Sequence, residues 1–274
     1  MGEAAPPWPW WFAFLGFLMA ILLVGLLVGI VGAATGAGPG KKPSTTLIVV
    51  GTLIQGGVFA GVAVMFASFV SRPRAWHFGL RRTPLAPAIG WAALGLFSFY
   101  LFAASYGALV QTDVEQTVTE DLGADRGTLG LIVAGCMVMV VAPIGEEFFF
   151  RGFFYRALRG RLSIAVAAVV DGVVFGLLHG IGNGVEGLLL VPPLAVLGLI
   201  FCLVYEKTGS LWPVIAMHAF NNAVAYAVQA DGGWQVSVVV GPLVIVLAMV
   251  LPRLLPSRGS PPLPVADPQP AAVR

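Results

Sequence analysis

Charge is scarce in this chain. Asp, Glu, Lys and Arg make up 10% of its 274 residues, against about a quarter in a typical soluble domain. A water-facing surface cannot be built from so few, which excludes a soluble globular fold. Cysteine is scarcer still. Cys136 and Cys202 both fall inside apolar runs, which argues against a disulfide framework and reads as two small buried apolar residues. Basic residues are missing ahead of the first apolar run, where only Glu3 stands; a cleavable signal peptide wants a positive leader and a shorter apolar core, so the first run is expected to stay as a helix. Neither sign of charge dominates, and a net charge of +2 asks for no nucleic-acid partner. No internal repeat is strong enough to indicate an inverted-repeat transporter.

What is present is apolar length. Apolar residues are 58% of the chain and the mean hydropathy is +0.91. A bilayer core of roughly 30 Å takes about 20 apolar residues per helical crossing. Eight such runs occur, at 9–34, 45–70, 86–110, 128–150, 162–182, 187–205, 210–229 and 234–255. Lipid leaves backbone groups no water to bond, and helix-length runs satisfy them as helices rather than as a barrel. The expected fold is all-α, a polytopic transmembrane bundle of about eight spans around a polar intramembrane cavity. The fourth span is expected to continue as a more polar helix through Leu158. No linker divides 1–255, which reads as a single transmembrane domain, and the Pro-rich tail 256–274 reads as disordered.

Basic residues assign the sides. Arg72, Arg74, Arg81 and Arg82 lie between spans two and three, and Arg156, Arg159 and Arg161 follow span four. Lys207 follows span six, and Arg253, Arg258 and Arg274 end the chain. The opposite loops hold Lys41, Lys42 and Arg126, together with the acidic Asp113, Glu115, Glu120, Asp121 and Asp125. Basic residues concentrate on the cytoplasmic side, so both termini are expected there, in a cell-membrane protein.

Function is sought among the ionisable groups inside the spans, each of which costs about 2.5–3.5 kcal/mol at a helix centre for Asp, Lys or Arg. Glu146-Glu147-x-x-x-Arg151 opens the series. Residues four apart share a helix face, so Glu147 and Arg151 can pair while Glu146 points elsewhere. A desolvated carboxylate suits proton exchange with water, and Pro143 and Gly145 upstream can loosen the helix beside it. A structural ion pair with a spare glutamate is the alternative. His179 ends span five, and His218 and Asn222 share a face of span seven. Taken singly, each reads as a hydrogen-bonded packing residue as readily as a chemical one. Depth ties them together. At about 1.5 Å per residue, Glu146 stands roughly 20 Å and His179 roughly 27 Å above the turn near Gly160, and His218 roughly 16 Å and Asn222 roughly 22 Å above that near Lys207. Asp171 lies eight residues before His179, and either orients it or pairs elsewhere.

These three motifs, in order and each on a span, resemble the CPBP family of intramembrane proteases, the CAAX proteases and bacteriocin-processing enzymes related to the type II CAAX prenyl endopeptidase. The likeness covers about 125–230, with a weaker echo in Phe78-Gly79-Leu80-Arg81-Arg82. It implies a helical bundle that hydrolyses a peptide bond from a cavity open to the cytosol, acting on a membrane-associated, for instance prenylated, protein or peptide. Glu146 would be the general base, with His179 holding the water; His218 and Asn222 would stabilise the oxyanion, and Glu147 and Arg151 would orient the site. The family is often described as metalloproteases, and Glu146, His179 and His218 could hold Zn²⁺. The chain has no His-Glu-x-x-His motif, so the zincin helix is absent and a metal-free route is preferred.

Other features read blandly. His77 is expected to be solvated in its Arg-rich loop. Gly25-x-x-x-Gly29 and Gly172-x-x-x-Gly176 are expected to pack within the bundle, Trp8, Trp10 and Trp11 to form an interfacial belt, and Pro192-Pro193 to kink span six. Two rival functions remain: a catalytically idle scaffold or immunity protein, which has no chemical need of Glu146, and a proton-coupled transporter. Substrate and oligomeric state are not written in the sequence.

Overall fold

The computed structural model describes residues 8–37, 42–110, 118–181 and 187–254. The expected disorder of the tail, and Lys41, Asp113 and Glu115, lie outside them. Among the described residues the regular structure is all helical, with no strand.

Eight rods carry the fold: α1 Phe12–Ala34, α2 Thr45–Ser68, α3 Leu85–Val110, α4 Gly127–Arg159, α5 Ile164–Gly180, α6 Val191–Thr208, α7 Leu211–Gln229 and α8 Gly233–Leu254. Six stretches, α1 to α4, Leu188–Thr208 and α8, are long and apolar enough to cross a membrane. α5 is a shorter apolar helix, and α7 carries His218, Asn221 and Asn222. Serines start three rods. Ser44, Ser163 and Ser210 each accept a backbone N–H from the first turn of α2, α5 and α7, meeting donors the helix leaves unpaired. Gly209, at φ +60°, ends α6 in the left-handed conformation that permits an immediate return into α7.

α4 is the axis of the molecule and departs from a plain helix twice. π-helical turns occupy Met137–Val141 and Phe150–Tyr155, on either side of Ala142–Phe149. The helix does continue past residue 150 and carries Arg151, Arg156 and Arg159, while Phe149, Phe150, Phe153, Phe154, Tyr155 and Leu158 are all fully buried. They form the aromatic core with Phe12, Phe59 and Phe66, against which α1 and α2 pack.

The bland expectations divide. Gly172 and Gly176 do lie against the α6 backbone, where an added Cβ would come within 2.4–2.8 Å of Ala195 O, Leu199 N, Val191 O and Ala195 N. Gly25 and Gly29 have nothing within 4 Å of an added Cβ and do not close a contact within the described bundle. Trp8 is buried against Phe78 and Phe153, whereas Trp10 and Trp11 are exposed. Pro192 and Pro193 begin α6 instead of kinking it, because proline needs no N–H partner in a first turn. His77 is buried, not solvated; its Nδ1 accepts the Arg74 N–H at 3.2 Å and caps the short turn Ala75–Phe78.

The basic loops meet at one end. Arg81 Nε donates to Gly209 O, Arg82 to Pro252 O at 2.8 Å and Arg253 to Thr83 O at 2.7 Å. Arg159 pairs with Glu206 at 3.1 Å. At the other end Lys42 meets Asp121 at 2.9 Å, and that hydrogen bond raises the Lys42 ammonium above its ordinary value.

Candidate active site

The second half of α4, with α5, α6 and α7, builds the polar centre. Glu147 and Arg151, one turn apart, form the expected pair at 3.0 Å with both side chains fully buried. Arg151 is held more widely than the sequence implied. Nη2 donates to Gly198 O of α6 at 2.9 Å and stands 3.4 Å from Asp171 Oδ1 of α5. The guanidinium lies over the rings of Phe175 and Phe201 at 4.6 and 5.1 Å, contacts favourable to a desolvated cation. Only glycine at 198 permits this reach, since an added Cβ would meet Nη2 at 3.0 Å and Gly172 Cα at 2.9 Å.

Asp171 therefore pairs elsewhere. It faces Arg151 and accepts the Cys202 thiol at 3.2 Å, while His179 takes its orientation from its own helix, with Nδ1 2.8 Å from Phe175 O. Cys202 is buried as expected but acts as a donor rather than as plain apolar filling. Cys136 and Cys202 are both free thiols.

Glu146, His179 and His218 converge. Glu146 Oε2 lies 3.5 Å from His179 Nε2 and 3.9 Å from His218 Nε2, so α4, α5 and α7 bring the three residues to one place. Each ring is held by its other nitrogen. The Phe175 carbonyl can only accept, which puts a proton on His179 Nδ1 and turns Nε2 to Glu146. His218 Nδ1 lies 2.7 Å from Glu147 Oε1, the same oxygen that receives Arg151, and is fixed likewise. Glu146 Oε2 is buried and has no hydrogen-bond partner among the described residues. Polar atoms from three helices thus face one gap. Glu146 and His218 are buried, while the His179 side chain is 31% exposed and marks the open side of the gap.

The separations meet the geometry of a zinc site only in part. Tetrahedral zinc with bonds of about 2.0–2.1 Å sets its donors roughly 3.4 Å apart. The Glu146–His179 separation meets this, but the Glu146–His218 separation exceeds it by about half an ångström. Among the described residues no three His, Cys, Asp or Glu side chains gather closely enough to hold a metal ion.

Asn222 lies one turn beyond His218 on the same face of α7. Its Nδ2 donates to Val138 O of α4 at 2.9 Å, and α4 itself explains the bond. In the π turn the Ala142 N–H goes to Met137 O, and Pro143 has no N–H to give. The Val138 carbonyl is left for a side chain. Tyr226, one turn beyond Asn222, repeats the arrangement by donating to Leu131 O at 2.6 Å. His218, Asn222 and Tyr226 thereby pin one face of α7 to α4 at three levels. Tyr226 was missed because a tyrosine in an apolar run carries no sign of what its hydroxyl reaches.

One further contact was missed. Gln55 Nε2, on α2, donates to Glu146 Oε1 at 3.3 Å, and a lone amide ninety-one residues upstream offers the sequence no pattern to join it to. The Phe78–Arg82 echo packs against the helices that carry the site. Phe78 stacks on Phe148, with ring centroids 4.6 Å apart, and Gly79 O accepts the Leu211 N–H at 2.9 Å, so this segment braces the α6–α7 turn.

Residues 128–224 match the family of type II CAAX prenyl endopeptidases, described as Rce1-like. This is the kinship the three motifs imply. The matched segment runs from the start of α4 to beyond Asn222; α1 to α3 and α8 lie outside it. No curated protein and no solved structure matches the chain.

Proposed function

We propose, from the premise that residues 128–224 belong with the type II CAAX prenyl endopeptidases, that the protein is an intramembrane peptidase that hydrolyses a peptide bond of a membrane-anchored substrate of the prenylated C-terminal type. The observation that carries this is the convergence of Glu146, His179 and His218 on one gap.

The chemistry is set by which atoms can give and which can take. A water in the gap donates one hydrogen to Glu146 Oε2 and the other to His179 Nε2, leaving a lone pair for the substrate carbonyl carbon. Glu146 removes a proton as the new C–O bond forms. The carbonyl oxygen becomes an oxyanion facing His218. Because His218 Nδ1–H is given to Glu147, donation from Nε2 requires a ring holding both protons, and the Glu147 carboxylate opposite compensates that charge. Asn222 keeps one amide hydrogen beyond the one given to Val138 O, and this serves as a second donor to the oxyanion. Glu146 then returns its proton to the amide nitrogen, the C–N bond breaks, and a carboxylic acid and an amine form, the acid passing its remaining proton to the amine as the products depart. Arg151 and Asp171 touch no reacting atom; they fix Glu147, and through it His218.

The test is cleavage of a panel of membrane-associated peptides, farnesylated C-terminal peptides included, by detergent-purified wild type and Glu146→Gln. The variant keeps volume and packing but lacks the base, and its rate falls by about 10²–10⁴ with an unchanged melting curve. The wild-type rate also survives a chelator. Equal rates for the two proteins would remove Glu146 from the chemistry, and a chelator-sensitive rate restored by zinc would replace the metal-free route.

A further inference from the structure

Glu146 has two oxygens, and only one faces the gap. Oε2 is turned to the two histidines; Oε1 receives Gln55 Nε2 at 3.3 Å. Gln55 comes from α2, outside the matched segment, in a helix that is otherwise apolar save for Thr45, Thr46, Thr52 and Ser68. Of these, Thr52 spends its hydroxyl on Ile48 O at 3.0 Å within the helix. An amide is costly in such a setting unless it is hydrogen-bonded, and the partner Gln55 finds is the carboxylate assigned as the base.

The bundle is built to bring these two residues together. Gly56 and Gly145, their immediate neighbours, let the backbones of α2 and α4 touch: a Cβ at Gly145 would lie 2.8 Å from Gly56 Cα. One turn further on, Phe59 stacks on Phe149 with centroids 4.7 Å apart and planes 28° from parallel. Phe66 meets Phe153 at 5.9 Å beyond that. A glycine contact and two ring contacts therefore set the register of α2 on α4, and that register places the amide opposite Oε1.

We propose that Gln55 is a positioning residue for the hydrolysis, holding Glu146 Oε1 so that Oε2 alone is presented to the water. Free rotation of an untied carboxylate would exchange its oxygens and swing both off the line to the histidines; a fixed donor on one oxygen prevents this. The inference rests on the peptidase reading above. It also means that the matched segment alone does not hold a complete site, since the tie on the base comes from α2.

The experiment compares wild type, Gln55→Met, Gln55→Asn and Glu146→Gln in the full chain, on whichever peptide of the panel the wild type cleaves. Gln55→Met keeps length and removes the donor; Gln55→Asn keeps an amide and withdraws it by one methylene, and serves should the methionine variant fold poorly. The expected result is a kcat lower by about tenfold in both, the scale of one hydrogen bond to a charged acceptor, with KM and the melting curve unchanged. The infrared carboxylate band of Glu146, identified as the one absent from Glu146→Gln, shifts in both Gln55 variants. A residue that only packs would move the melting curve and leave that band in place. If Glu146→Gln is inactive while both Gln55 variants keep wild-type kcat and an unshifted band, the positioning role is overturned and the peptidase reading stands. If Glu146→Gln cleaves like the wild type, the peptidase reading itself fails.

Discussion

At the scale of single residues, Arg151 shows how a charge is kept out of water and how much depends on its partners. It is fully buried between Glu147, Asp171 and Gly198 O, with aromatic rings against its plane. Removing one member of a buried ion pair costs about 3–5 kcal/mol, because the other charge stays buried without compensation. Arg151→Met should therefore lower stability by about that amount, read from thermal melting in detergent, and should reduce cleavage indirectly as His218 loses its fixed carboxylate. A melting curve like that of the wild type would show that the network carries no such weight. This pair was readable from sequence because i, i+4 spacing alone brings the two side chains together. Asp171 was not, because its partner depends on how α5 lies against α4. His77 and Trp8 were misplaced for the same reason: an Arg-rich loop and a helix entry look solvated until the folded loop covers them.

At the scale of elements, the eight rods follow from apolar length, and the structure places their ends within a few residues of the expected ones. The two π turns of α4 do not follow from it, since an apolar run has no periodicity that distinguishes one helical pitch from another. Pro143 was the available sign, and its consequence appears on a different helix: it leaves Val138 O without a backbone donor, and Asn222 supplies one. An unmet carbonyl away from water costs about 1–3 kcal/mol, so Asn222→Ala should lose stability on that scale. Pro143→Ala restores a backbone N–H at the position facing Val138 O, and the loss on Asn222→Ala should shrink on that background by about 1 kcal/mol, within the range of coupled neighbours. Additive losses would mean that proline and asparagine act independently. The same bond occupies one amide hydrogen of Asn222, which sequence spacing placed beside His218, and leaves the other for the proposed oxyanion.

At the scale of the whole molecule, the basic loops gather at one end, where the 78–82 segment, the α6–α7 turn and the end of α8 interlock. Positive charge favours the cytoplasmic side. A cysteine introduced at Lys207 should accordingly react with an impermeant maleimide only when the cytoplasmic face is exposed, and one at Lys42 only from the opposite face; the reverse pattern would invert the bundle. Cys136 and Cys202, lying within the rods, give the background to be subtracted. The convergence of Glu146, His179 and His218 was legible as three helices reaching comparable depth, because rise per residue is fixed. The side of the gap reached by α2 was not, and that is where Gln55 enters.

Hydrolysis by this site requires three helices to supply one chemical unit. Residues acting as a unit lose little more together than singly, so the decisive measurement is single-turnover cleavage by Glu146→Gln, His179→Ala, His218→Ala and the double variants that include Glu146→Gln. Each single change should lower the rate by about 10²-fold or more, and each double should be no slower than Glu146→Gln alone. Rates that fall multiplicatively, or singles that cleave like the wild type, would show that the three side chains share a location but not a reaction.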